Sequence, residues 1–328
     1  MIDPLDPRRN AIRQDLADMR LKSQVERPRY AEPTRKVVVA PSTRCLVSPG
    51  YGGPFDTEFL FGERVKVFDV EDDEGVFGVE SDDDEDHPNK DAWSWVQSAV
   101  DGYVGYVASA DLADAPAEPA THIVSAVHGT LYSEPSIKRG HASALPLGAV
   151  VTVADVVTTK ESYARVINLA HHNETLHAHG IRARLPNSDE GYVLVQHLSQ
   201  LDALTGDWVA VAERFLGVPY VWGGKTPNGI DCSGLVQLSL AVAGHAAPRD
   251  SDMQMAELGN ALPDGEALRR GDLIFWRGHV GIMVDGERLL HANGFHMVTA
   301  IEPLQDTVGR LENMGLPVTA RKRLDFEP

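Results

Sequence analysis

The stretch NGIDCSGLVQL, Asn228 to Leu238, sets Cys232 between an Asp and a Ser-Gly pair, directly before an apolar run. Leu235, Leu238 and Val242 recur beyond it at helical spacing and Gly244 offers a stop, so the spacing predicts a helix whose first turn holds Cys232. Asp231 is an N-cap type of residue. Backbone N–H groups and the positive end of a helix dipole both stabilise a thiolate, the form a sulfur nucleophile needs. Free cysteine is also among the most often buried residue types, so this segment by itself leaves nucleophile and core cysteine as alternatives. Thiol chemistry needs a base, and the base an orienting partner. The run RGDLIFWRGHVGIMVDGERLLHANGFHM carries His279 and His291 on two strand-like segments with a turn at Asp285-Gly286. A two-residue loop would send the imidazoles to opposite faces. A three-residue loop, Val284-Asp285-Gly286, pairs His279 with His291 on one face and uses Gly286 as its left-handed residue. In that line His279 takes the thiol proton and returns it to a leaving amine, while His291 fixes the tautomer of His279. Two ordinary strand histidines are the alternative.

These residues must be held by the chain around them. Its 328 residues suffice for two or three domains with separate cores. Cys45 and Cys232 fall in different units and cannot build a disulfide framework. A net charge of -18 argues against nucleic acid as partner. Part of that charge lies in EDDEGVFGVESDDDEDHPNKD, residues 71–91, which reads as a solvated loop. No run approaches the ~18 apolar residues of a membrane span. The opening MIDPLDPRRNAIRQDL lacks the apolar core of a secretory signal, so a cytoplasmic protein is expected. HHNETLHAHG brings His171, His172, His177 and His179 close in sequence, without matching carboxylates or cysteines nearby to complete a metal site, and reads as a hairpin loop.

A duplication organises the first two thirds. FGERVKVFDV matches LGAVVTVADV, and GYVASADL matches GYVLVQHL. Gly62 and Gly148, and Gly105 and Gly191, are separated by the same 86 residues. Alternating valines in both copies predict two small all-β units, 37–113 and 121–200, joined by the linker DAPAEPA. Residues 1–36 form a polar arm in which Ile12, Leu16 and Met19 fit one face of a short docking helix. From residue 201, helical runs followed by strand-like runs predict an α+β unit.

Four blocks, YVWGGKTPNGIDCSGLVQ, PRDSDMQ, RGDLIFWRGHVGIM and HANGFHM, resemble the NlpC/P60 cysteine peptidases of bacterial cell-wall metabolism, in the family's order and over residues 208–304. The two valine-rich units resemble bacterial SH3-like barrels, with DGYVGYV carrying most of that likeness. Together the resemblances imply a multi-domain chain, two SH3-like β-barrels followed by a papain-like α+β NlpC/P60 domain at 201–328. They imply Cys232 as nucleophile, His279 as base, His291 as its orienting group, and the Tyr220 hydroxyl at the oxyanion. SH3-like modules before such a domain are similar to the γ-D-glutamyl-L-diamino-acid endopeptidases, which cut L-Ala-γ-D-Glu-diaminopimelate (or lysine) peptides bearing a free N-terminal L-Ala. That ammonium calls for an anionic socket, with Asp231 as first choice and Glu63 and Tyr103 roofing the site from the first β unit. Ser233 and Ser251 match substrate-contacting positions. The implied partner is a cell-wall peptide handled by a monomer in murein recycling, with no cofactor, metal, nucleic acid or membrane. The alternative is a secreted wall hydrolase whose SH3-like units grip the wall.

Overall fold

The computed structural model describes residues 5–50, 53–72, 92–139, 141–169, 176–178, 181–183, 190–204, 206–263 and 265–326. The acidic run from residue 73 onward therefore lies outside the described residues, as do His171, His172 and His179; His177 lies in a hairpin of Leu176–Ala178 and Ile181–Ala183.

The first β unit is a seven-stranded antiparallel sheet built from Thr34–Val38, Ser42–Leu46, Phe55–Leu60, Arg64–Asp72, Ala92–Ser98, Val104–Ala108 and Leu112–Asp114. Across the sheet these strands run third, second, sixth, fifth, fourth, first, seventh. The second unit comprises His122–Val124, His128–Tyr132, His141–Pro146, Val150–Thr158, Ser162–Ile167, Gly191–Leu194 and Leu198–Gln200, and it follows the same order. Irregularities recur as well. The register shifts at Cys45/Leu46 and Val67/Asp69 in the first unit, and at Leu131/Tyr132 and Val153/Asp155 in the second. A bulge bends a strand at one position, so bulges at equivalent positions mark two copies of one backbone plan.

The arm forms no docking helix. Leu16–Asp18 pairs in parallel with Arg29–Ala31, and Met19–Leu21 is a single 3-10 turn. The Asp18 carboxylate accepts from the Arg20 N–H, a local bond that competes with helix propagation. Ala11 and Leu16 are buried against Leu46, Phe68, Trp93, Trp95 and Tyr106 of the first unit, whereas Met19 faces solvent.

The third unit centres on an antiparallel sheet ordered Asn260–Ala261, Ala320–Arg323, Leu273–Trp276, His279–Met283, Arg288–Asn293, Val298–Pro303. Helices α1 (Trp208–Glu213), α2 (Cys232–Val242), α3 (Ser251–Glu257) and α4 (Leu304–Glu312) complete it. Leu235, Val236, Leu238 and Leu240 of α2 join Val280, Ile282, Leu290 and Ala292 in one core. On the opposite face Met283 and Leu289 pack with Leu304, Val308 and Leu311 of α4. Helix α2 is apolar nearly all round because the β units close its remaining side. Leu60 of the first unit and Leu147 of the second enter the same core as α2. Gly148, at φ +93°, lies where a Cβ would overlap both Leu238 and Leu60. All three units thus meet at one residue without a side chain. Val150 N–H donates to Phe61 C=O at 2.9 Å, continuing the seam between the β units.

Gly148→Val is expected to destabilise the chain on the order of 1–3 kcal/mol, from backbone strain and overpacking. Urea or thermal denaturation checks this; wild-type stability in the variant would contradict the three-unit contact.

Candidate active site

The segment before α2 is folded by its own small residues and one carboxylate. Tyr220 N–H donates to Met297 C=O at 2.9 Å, and Lys225–Thr226 pairs with Gly229–Ile230. Asp231 then caps α2: its Oδ1 accepts from Gly234 N–H at 2.6 Å and its Oδ2 from Gly223 N–H at 2.9 Å. Arg249, 1% exposed, grips the same carboxylate through Nη1 at 2.9 Å and Nη2 at 2.7 Å. The Ser233 hydroxyl adds a longer contact to Oδ1 at 3.4 Å, so donors occupy all the acceptor directions of this carboxylate. The expectation that Asp231 is an anionic socket for an ammonium therefore meets a charge already neutralised by Arg249, and Asp231 serves as cap and anchor.

Cys232 opens α2, as its spacing predicts, and is 7% exposed. The backbone N–H groups of Val280 and Ser233 lie against its sulfur, and the Val280 contact puts that sulfur at the His279 end of the strand. The thiolate expected from the helix terminus does not follow. Burial, with the adjacent Asp231 carboxylate acting in the same direction, pushes the thiol up to about 12 against the two N–H groups and Arg249.

The histidines share a face by a different loop from the one expected. Ile282 pairs with Leu290 and Met283 with Leu289, and Val284 N–H donates to Arg288 C=O, leaving Asp285-Gly286-Glu287 as the loop. Gly286 is not left-handed; the Asp285 carboxylate makes the turn by accepting from the N–H groups of Glu287 and Arg288. The loop length stays odd, so parity holds, but His291 falls across from Gly281 and reaches His279 diagonally. His279 Nε2 and His291 Nδ1 are 2.8 Å apart. Burial, then the neighbouring His291 and Arg310, pulls His279 down to about 3. Burial thus acts on both groups in the same sense, disfavouring the thiolate of Cys232 and the imidazolium of His279. Behind them Glu302, unnoticed in the sequence, lies 2.9 Å from His291 Nε2.

The first β unit forms one wall. Thr57 Oγ1 accepts from Arg249 Nε at 2.8 Å, and Glu58 accepts from Lys225 N–H at 2.7 Å. Glu63 Oε1 accepts from Lys225 Nζ at 2.9 Å, while its buried Oε2 has no hydrogen-bond partner among the described residues. Burial raises the Glu63 carboxyl despite Lys225. The Tyr103 hydroxyl donates to Asp250 at 3.2 Å, and Arg8 of the arm donates to the same carboxylate at 2.9 Å. Ser233 Oγ accepts from Arg249 at 2.9 Å, and Ser251 begins α3, half-buried. Burial, then the nearby Cys232 and Asp231, raises the Tyr220 hydroxyl. Cys232, Asp231, Ser233, Tyr220 and Arg249 therefore form one cluster. Glu63 and Tyr103 reach the catalytic unit by way of Lys225 and Asp250. Arg249 and Lys225 stand inside the motif blocks, but their partners are distant in sequence, which hid their roles.

Residues 217–309 match the NlpC/P60 family, and residues 87–112 match the bacterial dipeptidyl-peptidase Sh3 domain. Dipeptidyl-peptidase 6 of Lysinibacillus sphaericus is 26% identical over 78% of this chain and 87% of its own length. Gamma-D-glutamyl-L-lysine dipeptidyl-peptidase of Bacillus subtilis (strain 168) is 35% identical over 29% of this chain, which spans 34% of that relative's length. The crystal structure of an NlpC/P60 family protein from Bacillus cereus ATCC 10987 has a TM-score of 0.65 at 19% identity. It covers 89% of this chain and 99% of that chain, a likeness of fold.

Two outcomes follow from the site's charges. Because the thiol is raised, iodoacetamide should alkylate Cys232 slowly at neutral pH, with a rate climbing through the alkaline range; a fast plateau from about pH 5 to 8 would reveal a thiolate–imidazolium pair instead. Arg249→Met leaves Asp231 buried and unpaired, an expected loss of about 3–5 kcal/mol by urea denaturation; a shift within error would show the pair to be dispensable.

Proposed function

We propose that this chain, whose third unit is an NlpC/P60 domain, is a cysteine peptidase that hydrolyses the γ-D-Glu–diamino acid bond of cell-wall peptides bearing a free N-terminal L-Ala. The observation that carries this reading is the line of Cys232 at a helix start, His279 on the strand whose Val280 N–H meets the sulfur, and His291 behind it. His279 takes the thiol proton as Sγ attacks the γ-carbonyl. The first-turn N–H of Cys232 and the Tyr220 hydroxyl receive the oxyanion. His279 then protonates the departing amine of diaminopimelate or lysine, and water, deprotonated by the same ring, releases L-Ala-D-Glu and restores the thiol.

Specificity for the free amine is assigned to the wall from the first unit. With Asp231 neutralised by Arg249, Glu63 is the acid that retains an unpartnered oxygen. A buried carboxylate raised by desolvation gains from an ammonium more than an exposed one does. Tyr103, Ser233 and Ser251 flank the same peptide. Both β units, read as SH3-like barrels, serve as a roof that excludes stems whose L-Ala nitrogen is acylated by glycan. Such exclusion suits an enzyme of murein recycling acting in the cytoplasm on released peptides, as a monomer, with no cofactor. The names of the two dipeptidyl-peptidase relatives support this substrate class.

Mass spectrometry of L-Ala-γ-D-Glu-diaminopimelate digests tests the proposal. Wild type should release L-Ala-D-Glu, Cys232→Ala none, and Glu63→Gln should raise KM for the free-amine peptide by about tenfold or more, the loss of one charge-assisted contact. Equal turnover of the N-acetylated peptide, or release of the dipeptide from intact sacculi, would refute the amine requirement and favour a wall hydrolase.

A further inference from the structure

We propose that Glu302 is a positioning residue that sets the tautomers of both active-site imidazoles and so determines which nitrogen of His279 is the base. This rests on the proposed roles of Cys232 and His279 and extends them to a residue outside the Cys–His–His line. Glu302 stands on the strand beside His291, where Leu289 pairs with Glu302 and His291 with Ala300, so that its side chain emerges on the histidine face. Helix α4 begins two residues later and returns Thr307 and Arg310, three apart, over that carboxylate. Thr307 Oγ1 donates to Oε1 at 2.8 Å, Arg310 Nη1 donates to Oε2 at 3.1 Å, and Arg310 Nη2 donates to Oε1. His296 Nε2 faces Oε2 at 3.4 Å. Burial works against ionisation, but the bonds from His291, Arg310 and Thr307 outweigh it and hold Glu302 well below the usual carboxylate range.

An ionised carboxylate only accepts hydrogen bonds. At 2.9 Å from Oε1, His291 Nε2 must therefore carry its proton. Burial lowers the His291 pKa against the pull of Glu302; in the neutral ring this favours, Nδ1 bears a lone pair. That lone pair, 2.8 Å from His279 Nε2, requires the proton of His279 to be on Nε2. His279 Nδ1 is left unprotonated to receive the proton of Cys232. The polarity of the whole line is dictated from its far end, and a donor in place of Glu302 would reverse both rings.

Nitrogen NMR of histidine in the full chain reads this directly. Wild type should show His279 protonated at Nε2 and bare at Nδ1. Glu302→Gln, whose amide can turn either face to His291, should show a mixture of tautomers. Its kcat should fall about 10–100-fold at unchanged KM, less than the upper range for losing a general base outright. Removing the negative charge also takes away a group that raises the His279 pKa, so the acid limb of kcat/KM should move to lower pH, an effect that lost packing would not produce. A wild-type His279 protonated at Nδ1 would overturn the proposal. So would a folded Glu302→Gln variant with wild-type kcat, acid limb and tautomer. If the peptide is not turned over by wild type at all, the function fails instead, and the wild-type tautomer still decides this inference.

Discussion

The contact on which the site depends is the buried ion pair of Asp231 and Arg249. Asp231 simultaneously caps helix α2, ties it to the Gly223 turn and neutralises a guanidinium that is 1% exposed. Arg249 extends the pair to Ser233 on the helix and to Thr57 on the neighbouring β unit. A buried pair of this kind adds little net stability over an apolar substitute, but breaking it leaves a stranded charge. Its consequence here is registry: the start of α2 cannot shift against the first unit without breaking several bonds together.

Registry matters because the site is assembled from both faces of one sheet. Helix α2 lies on the face of Val280 and Ile282, while His291, Glu302 and α4 belong to the other. Cys232 comes to the start of the strand His279–Met283, where the backbone N–H of Val280 touches the sulfur. The β units do not merely flank this arrangement. Leu60 and Leu147 share the core of α2, and Lys225 and Asp250 are answered by Glu63 and Tyr103. The core of α2 and the polar contacts beside Cys232 are therefore drawn from the same interface.

What could be read from the sequence was local. The helix start at Cys232 follows from a cap residue and apolar spacing, whereas parity only makes a common face of the histidines conditional on an odd loop, which the structure supplies at 285–287. The duplication was legible because its offset recurs, and the repeated strand order and bulges bear it out. Partners between distant segments were not legible. Asp231 looked like a free acid because Arg249 reaches it only through the tertiary fold. Glu302 looked like a strand-end residue because its significance depends on a helix that returns over it. The arm resembled a helix by spacing, but Leu16 is buried in a strand pairing instead. A helix terminus favours a thiolate, but burial at that terminus acts against it and raises the thiol, an effect that spacing does not disclose.

A peptide affinity label tests the central claim most directly: L-Ala-γ-D-Glu carrying a diazomethyl ketone in place of the scissile amide, followed by peptide mapping. The account predicts a single adduct on Cys232 that forms with the free-amine label and not with its N-acetyl counterpart. An adduct on Cys45, or equal labelling by both compounds, would contradict it.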